Sequence, residues 1–202
     1  MSPRVAFALV IVVACACTAV LGVALAARDD DRSAEAGLEL VGGWAGATRP
    51  EGIPPGDFVL RDQDGRRVSL AAYRGAPVIL TFLYSTCEDT CPEQAQAIRG
   101  ALDELEQEVP VLAVSVDPRN DTRMRARRFL LQQKMTDRMR FLLGSRSELE
   151  PVWATYGIRP QSGKLEHSAY VILLDGRGRQ RIGFPAAKLT SAGLAHDLRR
   201  LT

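Results

Sequence analysis

Two cysteines, Cys87 and Cys91, are separated by three residues in the segment Cys87-Glu88-Asp89-Thr90-Cys91-Pro92. That spacing puts two sulfurs within reach of a disulfide or of one small metal ion. Pro92 suits the first position of a helix, where no backbone N–H is needed. A thiol at a helix N-terminus meets exposed N–H groups and the positive end of the helix dipole, which favour the thiolate. Glu88 and Asp89 work the other way, because nearby negative charge raises a thiol pKa. The pair is a candidate redox couple or metal site, with plain core filling as the bland alternative. An imidazole partner must come from His167 or His196, since the chain has only two histidines. His167 lies between the polar Gln161-Ser162-Gly163-Lys164 loop and an apolar run, and taken alone it is an ordinary loop-edge histidine. His196 falls in an amphipathic C-terminal segment and reads as a surface residue.

The elements around these residues read as an α/β fold, a mixed sheet flanked by helices. Val78 to Tyr84 is a near-continuous apolar run of strand length, which suits a central strand buried on both faces. It delivers the chain directly to Cys87. Glu93 to Gln107 follows as a helix, with Ala97, Ile98, Ala101, Leu102 and Leu105 at helical spacing. Upstream, Asp57–Leu60 and Arg67–Leu70 flank an Asp-Gly turn and read as a hairpin. Downstream, Val111 to Val116 is a second buried strand ended by Asp117-Pro118, which reads as structural punctuation. Asp121 or Thr122 caps a helix running to about Lys134. Phe141–Leu143 is a short strand and Ser147–Tyr156 a short helix. Tyr170–Leu174 and Arg181–Phe184 form a second hairpin, and Thr190 or Ser191 opens a last helix. The order of elements predicts a layered α/β domain.

Composition narrows the class. The 202 residues carry a net charge of +2, so no global field points to nucleic acid. The arginine-rich stretch from Arg119 to Arg140 reads as a solvated helix face, with docking to an acidic partner or to lipid headgroups as the alternative. The remaining cysteines, Cys15 and Cys17, fall in Val5–Ala27, which has no charged residue. At 1.5 Å per residue that stretch spans a hydrocarbon core of about 30 Å. Residues 1–27 therefore read as a signal anchor and transmembrane helix. A signal peptide cleaved after Ala24-Leu25-Ala26 and lipidation at Cys15 are the other readings. Residues 28–55, with Gly42-Gly43, Gly46, Pro50, Pro54 and Pro55, read as a tether, and 56–202 as the domain.

Four motifs occur in order: Asp57-Phe58-x-Leu60-x-Asp62-x-x-Gly65; Thr81-Phe82-x-Tyr84-x-Thr86-Cys87-x-x-x-Cys91-Pro92; Ser115-Val116-Asp117-Pro118-x-x-Asp121-Thr122; and His167-Ser168-x-x-x-x-Leu173-x-Asp175-x-x-Gly178. On these the sequence resembles the Sco/SenC family, copper chaperones for cytochrome c oxidase assembly, over about residues 50 to 202. Glu88 departs from the family, where Pro is frequent. The resemblance implies a thioredoxin-like fold, usually behind one N-terminal membrane helix, and copper bound by Cys87, Cys91 and His167. Two thiolates and an imidazole form a soft, low-coordinate set that suits Cu(I), can hold Cu(II) and could hold zinc. It implies further a metallochaperone rather than an enzyme, on the extracytoplasmic (periplasmic) side of the membrane. The implied partners are the cytochrome c oxidase subunit carrying CuA and a thiol reductant. A general extracytoplasmic thiol–disulfide oxidoreductase is the rival reading, although such enzymes use C-x-x-C. A peroxidase of the peroxiredoxin type fits least, since it needs a Thr three residues before the reactive cysteine, where this chain has Tyr84 or Glu88.

Overall fold

A computed structural model describes residues 38–105, 108–160 and 169–201. The stretch Val5–Ala27, with Cys15 and Cys17, lies outside the described residues. Among the described residues no helix is long and apolar enough to cross a membrane. The unit Leu40–Thr202 contains every strand and helix named below.

Its strands are β1 (Ala47–Thr48), β2 (Val59–Arg61), β3 (Arg67–Ser69), β4 (Val78–Leu83), β5 (Val111–Ser115), β6 (Arg140–Leu142), β7 (Tyr170–Leu174) and β8 (Gln180–Pro185). The helices are α1 (Thr90–Glu104), α2 (Arg123–Gln132), α3 (Arg146–Tyr156) and α4 (Ser191–Leu201). Six strands form one sheet in the order β1-β8-β7-β4-β5-β6, and β2 and β3 make a separate hairpin. The β4/β5 and β5/β6 pairs are parallel; β4/β7, β7/β8 and β1/β8 are antiparallel. The sheet is mixed, as its sequence pattern predicts.

Strand β4 shows why. All six of its residues are buried, because strand side chains alternate between faces and here both faces are covered. Ile79 and Leu83 join one core layer with Ala95, Ile98 and Ala101 of α1, Phe129 of α2 and Leu194 and Leu198 of α4. Val78, Leu80 and Phe82 join the other, with Leu60 and Val68 of the hairpin and Leu149, Val152, Trp153 and Tyr156 of α3. Small residues on α1 let α4 approach closely. The ends of α3 are set by local chemistry: Ser145 and Glu148 form a reciprocal capping box, and Gly157 closes the helix at φ 68°.

Three features differ from the sequence reading. Helix α1 begins at Thr90, so Pro92 is its third residue rather than its first. The first turn still has no use for its N–H. Part of the segment assigned to the tether is built into the sheet, since Ala47 and Thr48 pair with Gly183 and Ile182. The buried carboxylate of Asp197 fastens it there by accepting from the N–H groups of Ala45 and Gly46, both at 2.9 Å. Finally, His196 is half-buried, with Nε2 at 3.2 Å from the Gly43 carbonyl oxygen. Arg200 stacks on Trp44 with its guanidinium carbon 4.9 Å from the ring centre. Helix α4 thus grips the start of the domain with three side chains.

Candidate metal centre

Strand β4 ends at Leu83, and the chain turns at once, with the Cys87 N–H donating to the Tyr84 carbonyl at 3.3 Å. Asp89 caps α1 by accepting from the Thr90 N–H at 2.5 Å. Cys91 is the second residue of that helix, where backbone N–H groups lack intrahelical partners. Its N–H donates instead to Cys87 Sγ at 3.2 Å. The sulfur of Cys87 therefore acts as an additional cap on α1. Both thiols are free. Cys91 is fully buried, and Cys87 is 7% exposed at the rim.

The two sulfurs are electrostatically unequal. The Cys91 S–H donates to Cys87, and this lowers the Cys87 pKa most. Burial opposes it. The Cys91 N–H, the Tyr84 hydroxyl and the Asp89 N–H add further donors, and the balance brings Cys87 down to about 7. Cys91 is driven strongly upward, first by its hydrogen bond to Cys87 and then by burial. Tyr84 is pushed up by burial and by the adjacent sulfur. The donors outweigh burial at Cys87, although its Sγ also stands 3.5 Å from Asp89 Oδ1, an acceptor that favours the protonated thiol. The backbone of Asp89 contributes a donor even though its side chain is an acid.

A second residue fixes the loop. The carboxylate of Asp121 is buried and accepts from the Ser85 N–H at 2.7 Å, from the Ser85 hydroxyl, and from the Ser115 hydroxyl at the end of β5. Burial raises its pKa, while the Ser115 and Ser85 donors hold it down. Asp121 thereby ties the chain leaving β4 to the chain leaving β5. Sequence reading offered Asp121 or Thr122 as a helix cap; Thr122 takes that role, accepting from the Arg125 N–H at 3.2 Å. Asp117 accepts from Asn120 Nδ2 at 2.8 Å, a turn-stabilising role. Tyr84 and Asp121 both fall within the sequence motifs, but nothing local announces their hydrogen bonds to the cysteine loop.

Of the three candidate ligands, the structure brings together Cys87 and Cys91. His167 lies outside the described residues. Among the described residues, no group of three or more His, Cys, Asp or Glu side chains is placed to hold a metal ion. Strand β7 is antiparallel to β4, with Thr81 opposite Val171. It therefore begins, at Tyr170, on the end of the sheet where β4 releases the cysteine loop. Gln94 of α1 is buried there and donates Nε2 to the Tyr170 carbonyl at 3.0 Å and to the Thr81 hydroxyl.

A family model described as SCO1/SenC matches residues 47–202. The mitochondrial protein SCO2 homolog of Bos taurus is 31% identical over 132 residues, 62% of this chain and 49% of that protein. The chain spans about half the length of this curated relative. Among solved structures, apo Sco1 of Thermus thermophilus superposes with a TM-score of 0.68 at 25% identity, over 79% of this chain and 97% of that one. ScoI of Bradyrhizobium japonicum, solved with copper bound, superposes with a TM-score of 0.59 at 28% identity, over 73% of this chain and 99% of that one.

Proposed function

The chain belongs to the SCO1/SenC family, and from that membership we propose that Cys87, Cys91 and His167 bind copper as cargo. The domain then serves as a metallochaperone and thiol-redox protein in assembly of the CuA centre of cytochrome c oxidase. Residues 1–27 hold it to the membrane with the domain on the extracytoplasmic side.

The observation that carries the reading is the pair of free thiols at the start of α1, one of them poised near neutrality. Thiolate is the form that ligates a soft metal, so a lowered pKa favours binding at neutral pH. Two further facts support it. Strand β7 starts three residues after His167 and on the thiol end of the sheet. The related Bradyrhizobium protein carries copper on the same fold. An imidazole added to two sulfurs supplies the nitrogen donor that Cu(II) favours, whereas Cu(I) is content with the sulfurs.

The inequality of the thiols favours a second reading beside the first, a general thiol–disulfide oxidoreductase. The low-pKa sulfur of Cys87, which keeps a 7% exposure, attacks, and the fully buried, high-pKa sulfur of Cys91 resolves. His167→Ala separates the two. On the copper reading, Cu(II) binding is lost, Cu(I) is held more weakly, and oxidase assembly fails, while the Cys87–Cys91 couple keeps its reduction potential. Unchanged copper affinity and unchanged assembly in His167→Ala would remove His167 from the ligand set and put the oxidoreductase ahead.

A further inference from the structure

Helix α2 carries more positive charge than the fold uses. Among the described residues Arg127 pairs with Asp64 at 2.9 Å, and Arg125 donates to the Asn120 carbonyl at 2.8 Å. Neither Arg125 nor Arg128 meets a carboxylate there. Both are exposed. With Gln132 they line one side of a groove of about 470 Å³, and Cys87, Glu88 and Pro92 line the other. The groove therefore runs between α2 and the start of α1, and Cys87 is part of its wall. On the same helix, outside the groove lining, Met124 and Leu131 are 77% and 70% exposed. Seven residues apart, they share one face of the helix beside Arg128. Exposed apolar side chains on a helix whose Arg125 and Arg128 meet no carboxylate among the described residues are the composition of a contact surface rather than of a solvated helix face.

We propose that this groove docks an acidic, extended, cysteine-bearing segment of the client protein, with its carboxylates against Arg125 and Arg128 and its sulfurs at Cys87. The proposal rests on the thiol-exchange part of the function above and names the chemistry of the partner it would act on. The thiolate of Cys87 attacks one sulfur of a client disulfide; the other client sulfur leaves and takes a proton from solvent. Cys91 then gives up its proton and attacks Cys87, and the client's second sulfur leaves and is protonated. The Cys87–Cys91 pair loses two electrons to the client disulfide, and of the two protons the client sulfurs gain, one balances that given up by Cys91 and one comes from solvent. Glu88 on the opposite wall disfavours acids near that side and restricts the client's carboxylates to the α2 side. A concave site ending at a thiol fits a polypeptide strand better than a flat lipid surface, and a net charge of only +2 gives the whole molecule little general attraction for anions.

The test uses the reduced, copper-free full chain in neutral detergent. Three synthetic peptides each contain one intramolecular disulfide, flanked by Asp and Glu, by Asn and Gln, or by Lys. At low ionic strength the acidic peptide should oxidise the pair about tenfold faster than the neutral one, with the gap closing in high salt. The double variant Arg125→Glu, Arg128→Glu should lose or invert that preference while keeping its rate with the neutral peptide and its copper stoichiometry. Equal rates for the three peptides, or a preference that survives in the variant, would overturn the proposal. Fluorescence anisotropy with the Cys→Ser form of the acidic peptide reads docking without exchange, so an inert thiol pair and an absent docking site give different results. Phosphatidylglycerol in mixed micelles tests the other occupant. If the variant loses affinity for those micelles yet keeps its preference for the acidic peptide, the groove serves a lipid surface and the proposal falls.

Discussion

Replacing Cys91 by Ala should make Cys87 a weaker acid. The Cys91 S–H is the largest cause of the lowered Cys87 pKa of about 7. A hydrogen bond to a charged acceptor contributes about 1.5–3 kcal/mol, which at 1.36 kcal/mol per pH unit corresponds to about one to two pH units. The midpoint should therefore rise to around 8–9, close to an ordinary thiol. Cys91→Ser keeps an O–H donor at the same place and should leave the midpoint near its wild-type value. The assay is the rate of iodoacetamide alkylation against pH in copper-free protein, resolved by peptide mass spectrometry so that Cys15 and Cys17 do not interfere. Because the thiolate is the nucleophile, the wild-type rate should climb with pH and level off above about 7. At pH 6 roughly 10% of Cys87 should be ionised, against about 0.3% for an unperturbed thiol. A Cys91→Ala midpoint at or below that of wild type would refute the assignment of Cys91 as the donor that activates Cys87. So would a wild type in which Cys91 is alkylated first.

Two further outcomes bear on the fold. Asp197→Ala abandons the Ala45 and Gly46 N–H groups and should cost about 2–4 kcal/mol in a denaturant titration; Asp197→Asn, which keeps one acceptor oxygen, should cost less, and equal losses would mean the two bonds are not the cause. Gly46→Ala should destabilise by about 1–3 kcal/mol, since a Cβ there would stand 2.7 Å from the Phe184 ring and closer still to Ile182; an unchanged unfolding midpoint would show that β1 is not seated against β8.

What the sequence made legible follows the strength of local signals. The Val78 to Tyr84 run announced a doubly buried strand because six consecutive buried residues leave no polar side. Thr122 announced a helix start through capping chemistry that acts within three residues; the sequence reading does not single out Ser145, which caps α3. The Cys87–Cys91 pair was legible through its spacing and its place after a strand. The features that escaped are long-range. Strand β1 has two residues, too few for any periodicity, and it is held by Asp197 from 151 residues away along the chain. His196 looked like a surface residue because nothing in its own helix reveals the Gly43 carbonyl. Tyr84 read as the end of an apolar strand, and its hydroxyl contact to Cys87 depends on how sharply the chain turns after it. The early start of α1 follows from Asp89 and the Cys87 sulfur capping the first turn, a contribution that Pro92 masked by resembling an initiating residue.

The Asp121 knot has a mechanical consequence for the thiols. The cysteine loop has two feet. One, at Ser85, is clamped to the neighbouring strand end through Asp121 and Ser115; the other is the first turn of a helix that buries one face against the core. A loop fixed at both ends has little compliance, so a change of sulfur chemistry between Cys87 and Cys91 must be absorbed mostly by side-chain rotation rather than by backbone travel. Such a mounting holds the two cysteine backbones nearly still while their sulfurs move together or apart. It also lets the sheet beneath keep its pairing when the sulfurs change partners.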